Sequence, residues 1–160
     1  MQASRTAALQ AMPIFGGIRA DVLDGLVETA KSVSVARDEY FFREGDRAES
    51  MFVLETGEVV LLRHGAGKPY ELGRLKAGDC FGEMALFDLF PRSASVRAIE
   101  PCTAIELSTA SLYQLCESDL EQFALFHTNV SRELSRRLRI ANEQLFRVHM
   151  GIGDGEPPWT

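Results

Sequence analysis

Histidine, cysteine and tryptophan are scarce in this chain: three His, three Cys and one Trp among 160 residues. The cysteines, Cys80, Cys102 and Cys116, are an odd number and form no CxxC pair, which fits reduced thiols in a cytoplasmic protein. His64, His127 and His149 lie far apart, and only His64 falls in the strand-rich region. The clustered histidines and carboxylate of a metal-binding barrel enzyme are therefore missing. No Ser/His/Asp or Cys/His arrangement is legible, so enzymatic turnover is not expected. No apolar run approaches the ~18 residues that span a bilayer. The stretch from Met1 to Leu9 lacks the basic-then-apolar layout of a secretory signal. Positive charge is also in deficit. Lys and Arg number 17 against 23 Asp and Glu, a net charge of −6, so the overall field repels nucleic acid.

What is present is ordinary globular material: 46% apolar and 25% charged residues, in a length suited to one domain. The chain divides into a helical start, a strand-rich middle and a helical end. Arg5 to Gln10 forms a short helix, and Met12 to Gly17 a Pro/Gly turn. Val22 to Ala30 carries Val22, Leu23, Leu26 and Val27 at helical spacing, with Asp21 as its expected N-cap. Seven β-rich runs follow: Val33–Val35, Tyr40–Phe42, Met51–Leu54, Val59–Leu62, Tyr70–Leu75, Ser95–Ile99 and Thr103–Leu107. Turn signals separate them at Glu44-Gly45-Asp46, Thr56-Gly57, Gly65-Ala66-Gly67 and Ala77-Gly78-Asp79. Many short strands with regular glycine turns predict a sandwich or jelly-roll barrel.

Ser108 or Thr109 caps a helix reaching about Glu117, and Asp119 begins a longer one reaching about His149. Along it, His127, Val130, Leu134, Leu138, Ala141, Leu145 and Val148 recur at intervals of three and four, a heptad-like seam. A second copy or the chain's own barrel could cover that stripe. Arg132, Arg136, Arg137 and Arg139 form a basic cluster there, read as a solvated face partnered by Glu133 and Glu143. The Gly/Pro-rich residues 151–160 read as an irregular tail, with too little chain after Val148 for a helix-turn-helix domain.

The segment Phe81-Gly82-Glu83-Met84-Ala85-Leu86-Phe87-Asp88-Leu89-Phe90-Pro91-Arg92-Ser93-Ala94-Ser95-Val96 interrupts the strands. Gly82 permits close backbone approach. Glu83 to Leu86 can form one helical turn whose free N–H groups face an anion. Arg92 offers a permanently charged planar fork suited to phosphate, and Ser93 a hydroxyl beside it. An ionised Glu83 only accepts hydrogen bonds, as a sugar hydroxyl requires. From these residue types alone, an anion site and a satisfied internal ion pair both remain open.

This segment resembles the phosphate-binding cassette of the cyclic-nucleotide-binding domain family. Phe15-Gly16-Gly17, Phe42-Arg43-Glu44-Gly45-Asp46, the stretch from Met51 to Val59, and Gly78-Asp79-Cys80-Phe81-Gly82-Glu83 match that family in order. The resemblance implies an α+β domain over residues 1–150. It has an N-terminal helical element, a jelly-roll β-barrel of about eight strands over about 33–108, an inserted cassette helix, and C-terminal helices over about 109–149. It further implies that Glu83 accepts from a ribose hydroxyl, with Gly82 lining the ribose. Arg92 pairs with the cyclic phosphate, and Ser93 and backbone N–H groups around Met84 and Ala85 bind phosphate oxygens. Where relatives in the activator branch reach adenine with a Thr-Ser pair, this chain has Ala141-Asn142, so Asn142 or Arg139 is the expected substitute. The implied ligand is cAMP, with cGMP left open. With the seam, the cysteines and the charge balance read above, the expected protein is a cytoplasmic homodimeric sensor that reports through its last helix to an effector protein, without contact to DNA or membrane. A nucleotide-independent interaction module on the same fold is the alternative.

Overall fold

The computed structural model describes residues 2–151. The chain opens with helix α1 (Gln2–Gln10), a 3-10 turn (Pro13–Phe15) and α2 (Ala20–Thr29). Eight strands follow: β1 (Lys31–Val35), β2 (Tyr40–Phe42), β3 (Ser50–Thr56), β4 (Glu58–Gly65), β5 (Lys68–Lys76), β6 (Cys80–Phe81), β7 (Ser95–Ala98) and β8 (Cys102–Ser108). A second 3-10 turn (Glu83–Leu86) lies between β6 and β7, and α3 (Thr109–Ser118) and α4 (Leu120–Met150) complete the order.

The strands make two four-stranded antiparallel sheets, β1-β8-β3-β6 and β2-β7-β4-β5. The expected barrel is thus a jelly-roll sandwich: hydrogen bonding closes within each sheet and not around both. Alternation along β3 and β8 builds two cores, because successive strand side chains point to opposite faces. Phe52, Leu54, Cys102 and Ala104 face the interior of the sandwich with Val59, Phe81, Val96 and Ala98. Met51, Val53, Ile105 and Leu107 face outward onto the helices, against Phe15, Leu23, Leu112, Phe126 and Val130. Strand β3 is buried on both faces for this reason, and it reads as a continuous apolar run. At the β3–β4 turn, Gly57 has φ +92°, and a Cβ there would lie 2.6 Å from both Cys102 Sγ and the Pro101 carbonyl oxygen. Only glycine fits that turn.

Several boundaries differ from expectation. Helix α1 starts at Gln2, ahead of Arg5. Arg19, not Asp21, is the N-cap of α2; its backbone N–H donates to Gln122 Oε1 at 2.8 Å, and Asp21 sits in the first turn, paired with the Arg19 side chain. Two-residue β6 lacks the length to show a period, so only the structure reveals it. The last helices begin where their caps predict: Ser108 Oγ accepts from Ser111 N–H, and Asp119 Oδ1 from Gln122 N–H.

The seam expected on α4 splits. Val130 is completely buried, and Leu134 packs on the helix-side core, so this half folds back on its own domain. Asn129 Nδ2 donates to the carbonyls of Ile14 and Gly16, at 3.2 and 2.9 Å, and ties α4 to the first 3-10 turn. His127 sits between Phe87 and Phe123. Beyond Leu134 the helix leaves the core, and Leu138, Ala141, Leu145 and Val148 are exposed. Of the expected tail, 151–160, only Gly151 lies within the described residues, as the left-handed cap of α4.

Candidate functional site

The site lies where the chain leaves one sheet for the other. Strand β6 belongs to the β3 sheet and β7 to the β4 sheet, so residues 82–94 bridge the end of the sandwich. A cavity of about 330 Å³ opens there, within the range of small-molecule sites. Its wall includes Phe42, Leu61, Phe81 and Val96 from the strands, and Gly82, Glu83, Met84, Ala85, Arg92 and Ser93 from the cassette. Arg137 of α4 also reaches it.

Local geometry explains the residue types. Gly82 adopts φ +75° to turn from β6 into the 3-10 turn, and a Cβ there would lie 2.7 Å from Arg92 Nη1. Both the backbone and the packing therefore demand glycine. Ala85 is buried in the turn, and its N–H donates to the Gly82 carbonyl at 3.3 Å. Arg92 is clamped through its backbone: its N–H donates to Asp46 O at 2.8 Å, and its carbonyl accepts from Gly45 N–H at 2.9 Å. The Glu44-Gly45-Asp46 turn read from sequence thus serves as the anvil for Arg92.

Arg92 is only 8% exposed. Nη1 donates to Gly82 O at 3.2 Å and Nη2 to Ser50 Oγ at 3.4 Å, while the ring of Phe42 lies 4.1 Å beneath it. Its Nε–H is buried with no partner. Among the described residues no carboxylate lies within ion-pair distance of it. Burial pushes its pKa below the ordinary arginine value, opposed by Glu106, Asp46 and Glu83 at longer range. A buried cation without an adjacent counter-ion and with an unused donor is built to receive an anion.

Glu83 is 7% exposed, and its Oε1 meets Arg137 Nη1 at 3.2 Å. Arg137 also donates from Nη2 to Cys80 O at 2.6 Å and from Nε to Glu133 Oε1 at 2.9 Å. Burial opposes the Arg137 charge, but the neighbouring Cys80, Glu83 and Glu133 groups outweigh it and raise its pKa. This fork fastens the cassette to the last helix. Ser93 is exposed at the mouth, its hydroxyl 3.7 Å from Met84 Sδ.

Six of the eight residues expected at the site, Gly82, Glu83, Met84, Ala85, Arg92 and Ser93, come together around one cavity. Arg139 and Asn142 do not join them. Arg139 borders a separate surface depression with Arg132, Ser135 and Arg136, and Asn142 is exposed on α4. The helical period is the reason: Arg137 follows Phe126, Val130 and Leu134 along the inward stripe, and residues 139 and 142 lie off it. That spacing was the signal for Arg137, which the reading of a solvated basic cluster overlooked. Phe42 is legible in the sequence only as part of a strand and a barrel turn, and nothing in the sequence singles out Ser50. Their contacts with Arg92 span 50 and 42 residues of sequence and leave no local pattern.

Comparison with known proteins places the fold and the family. The profile of the "Cyclic nucleotide-binding domain" family matches residues 32–119. A cAMP-dependent protein kinase regulatory subunit from Emericella nidulans is 33% identical over 92 residues, which is 58% of this chain and 22% of the kinase subunit. The Cyclic AMP receptor protein of Thermus thermophilus is 28% identical over 138 residues, 86% of this chain and 62% of that protein. The chain thus spans between about a fifth and three fifths of these relatives. Among solved structures, the Thermus thermophilus Catabolite Activator Protein superposes with a TM-score of 0.74 at 28% identity, covering 86% of this chain and 63% of that one. A cyclic nucleotide-binding domain from Methylobacillus flagellatus shares the fold with a TM-score of 0.81 at 24% identity, covering 97% of this chain and 85% of that one. With more than half of its length matched by the family profile, and with glycine, glutamate and arginine gathered at one cavity between the two sheets, the chain belongs to the cyclic nucleotide-binding domain family.

Proposed function

We propose that this chain is a cytoplasmic sensor of a cyclic mononucleotide, with cAMP favoured over cGMP, and that residues 1–150 form the sensing domain. The observation that carries the reading is Arg92: a buried guanidinium without a carboxylate contact, with a free Nε–H, lining the same cavity as the buried Glu83. Arg92 takes the cyclic phosphate as a planar charged fork, and Glu83 accepts from the ribose hydroxyl. The preference for cAMP draws support from the kinase subunit and receptor protein that the chain resembles. The role is binding and not turnover.

Binding is relayed through α4, because Arg137 links that helix to Glu83. We assign the exposed half of the α4 seam, Leu138, Ala141, Leu145 and Val148, at spacings of three and four, to a homodimer contact, with an effector protein downstream of it. Neither DNA nor a membrane is part of this reading; among the described residues no helix is long and apolar enough to cross a membrane.

Titration calorimetry of wild type and Arg92→Ala with cAMP and cGMP is the direct test. Wild type binds cAMP, and Arg92→Ala loses about 2–5 kcal/mol of binding free energy, as expected for truncating one partner of a buried charge pair. Equal binding by both proteins, or none by wild type, overturns the assignment.

A further inference from the structure

The inner face of β8 carries one residue that its packing alone does not call for. Strand alternation places Cys102 and Ala104 inside the sandwich, and the next residue on that face is Glu106, paired in register with the buried Phe52. Glu106 is half-buried there, and a carboxylate drawn partly from water needs a partner. It has one: Glu106 Oε1 accepts from Ser50 Oγ at 2.7 Å. The same Ser50 hydroxyl accepts from Arg92 Nη2 at 3.4 Å.

A hydroxyl has a single proton. Once that proton is committed to Glu106, which can only accept, the oxygen of Ser50 can only accept from Arg92. Arg92 has no acceptor, so the direction of its bond to Ser50 is fixed in any case; Glu106 adds an anchor for the hydroxyl proton, which holds the Ser50 oxygen toward Arg92, and balancing negative charge one residue removed from the guanidinium. That spacing matters. A carboxylate in direct contact with Arg92 would compete with an incoming phosphate, whereas a serine between the two holds the fork without occupying its outer edge. Ser50 and Gly82 take the two terminal nitrogens, Phe42 supports the plane, and Nε is left without a partner.

We infer that Glu106 is a positioning residue that acts through Ser50 to orient Arg92 for anion binding. This rests on the reading of Arg92 as the phosphate receptor, but the relay itself can be tested without any nucleotide.

The first measurement is nitrogen NMR of the Arg92 guanidinium in the unliganded protein. Wild type shows restricted rotation and resolved terminal nitrogens; Ser50→Ala and Glu106→Gln show faster rotation and averaging, and Ser50→Thr, which keeps the hydroxyl, resembles wild type. The same Arg92 signals in wild type, Ser50→Ala and Glu106→Gln would overturn the relay. The second measurement is cAMP affinity in a double-mutant cycle. Ser50→Ala weakens binding about five- to tenfold, the net scale of one ordinary hydrogen bond, as suits the 3.4 Å contact. In an Arg92→Ala background Ser50→Ala changes affinity no further, because its effect passes through Arg92. An equal loss in both backgrounds would make Ser50 a merely structural residue and refute the relay. Wild type that binds no cyclic nucleotide would remove the functional reading, and the NMR comparison would then decide the relay alone. Thermal melts of each variant establish that it is folded.

Discussion

Replacing Arg137 with alanine breaks the tie between the nucleotide cassette and α4, and its cost can be worked from three contacts. Arg137 donates to Glu83 at 3.2 Å, to Glu133 at 2.9 Å and to the Cys80 carbonyl at 2.6 Å. At 3.2 Å and an effective dielectric of about 20, the attraction to Glu83 alone is about 5 kcal/mol before desolvation is subtracted. The side chains are 21% and 9% exposed, so much of that attraction is cancelled by taking both charges from water. A net coupling of about 1–2 kcal/mol remains, in the range measured for contacting polar pairs. Losing the carbonyl bond and leaving Glu83 buried and unpaired brings the total for Arg137→Ala to about 3 kcal/mol. For a chain of this length that lowers Tm by about 6–12 °C. Urea and thermal melts of wild type, Arg137→Ala, Glu83→Gln and the double variant read the coupling directly. The neutral amide introduced by Glu83→Gln relieves the stranded charge, so the double variant is more stable than the sum of the single effects predicts, by about 1–2 kcal/mol. Additivity within about 0.5 kcal/mol would show that the pair carries no more energetic weight than an exposed surface contact, and the link from cassette to helix would fail with it.

The two halves of α4 respond differently to charge. Leu138→Glu with Leu145→Glu gives a folded monomer by sedimentation, whereas Val130→Glu, in the core, unfolds the domain; a wild type that is already monomeric at high micromolar concentration would defeat the dimer assignment. Burial among Phe87, Phe123 and Phe126 lowers the His127 pKa below 6.5. The unfolded chain therefore binds more protons just below pH 6.5, so the stability held above that pH is lost as pH falls through it. His127→Phe flattens Tm between about pH 6.5 and 5, and an unchanged pH profile would refute the assignment. Burial pushes the Cys80 thiol up to about 12, and Cys102 is also buried and raised. A thiol reagent at about pH 8 should label half-exposed Cys116 first, with all three reacting only in denaturant; rapid labelling of Cys80 in the native protein would contradict its burial.

Local pattern in the sequence determined a good deal. The glycine turns punctuate the strands where the sheets turn, Ser108 and Asp119 cap the helices they precede, and the cassette from Gly82 to Ser93 announces its acid and its arginine in one contiguous stretch. These features are legible because each depends on residues a few positions apart: a turn, a cap and a single helical turn are local objects. Alternation along β3 and β8 could be read too, but not which face meets helices and which meets the opposite sheet, because both faces are apolar. Tertiary structure decided the remainder. It separated the expected barrel into two sheets, through strand pairings between residues as distant as Lys31 and Glu106. It divided the single heptad-like stripe of α4 into a half that packs on its own core and a half that does not, since only three-dimensional packing shows where the domain surface ends along a helix. It also turned Arg137 inward to Glu83 while leaving Arg139 and Asn142 outside, and it put Ser50 and Glu106 behind Arg92. A charge contact between the last helix and the cassette joins residues that no period connects, and its energy exists only once folding has removed the water between them.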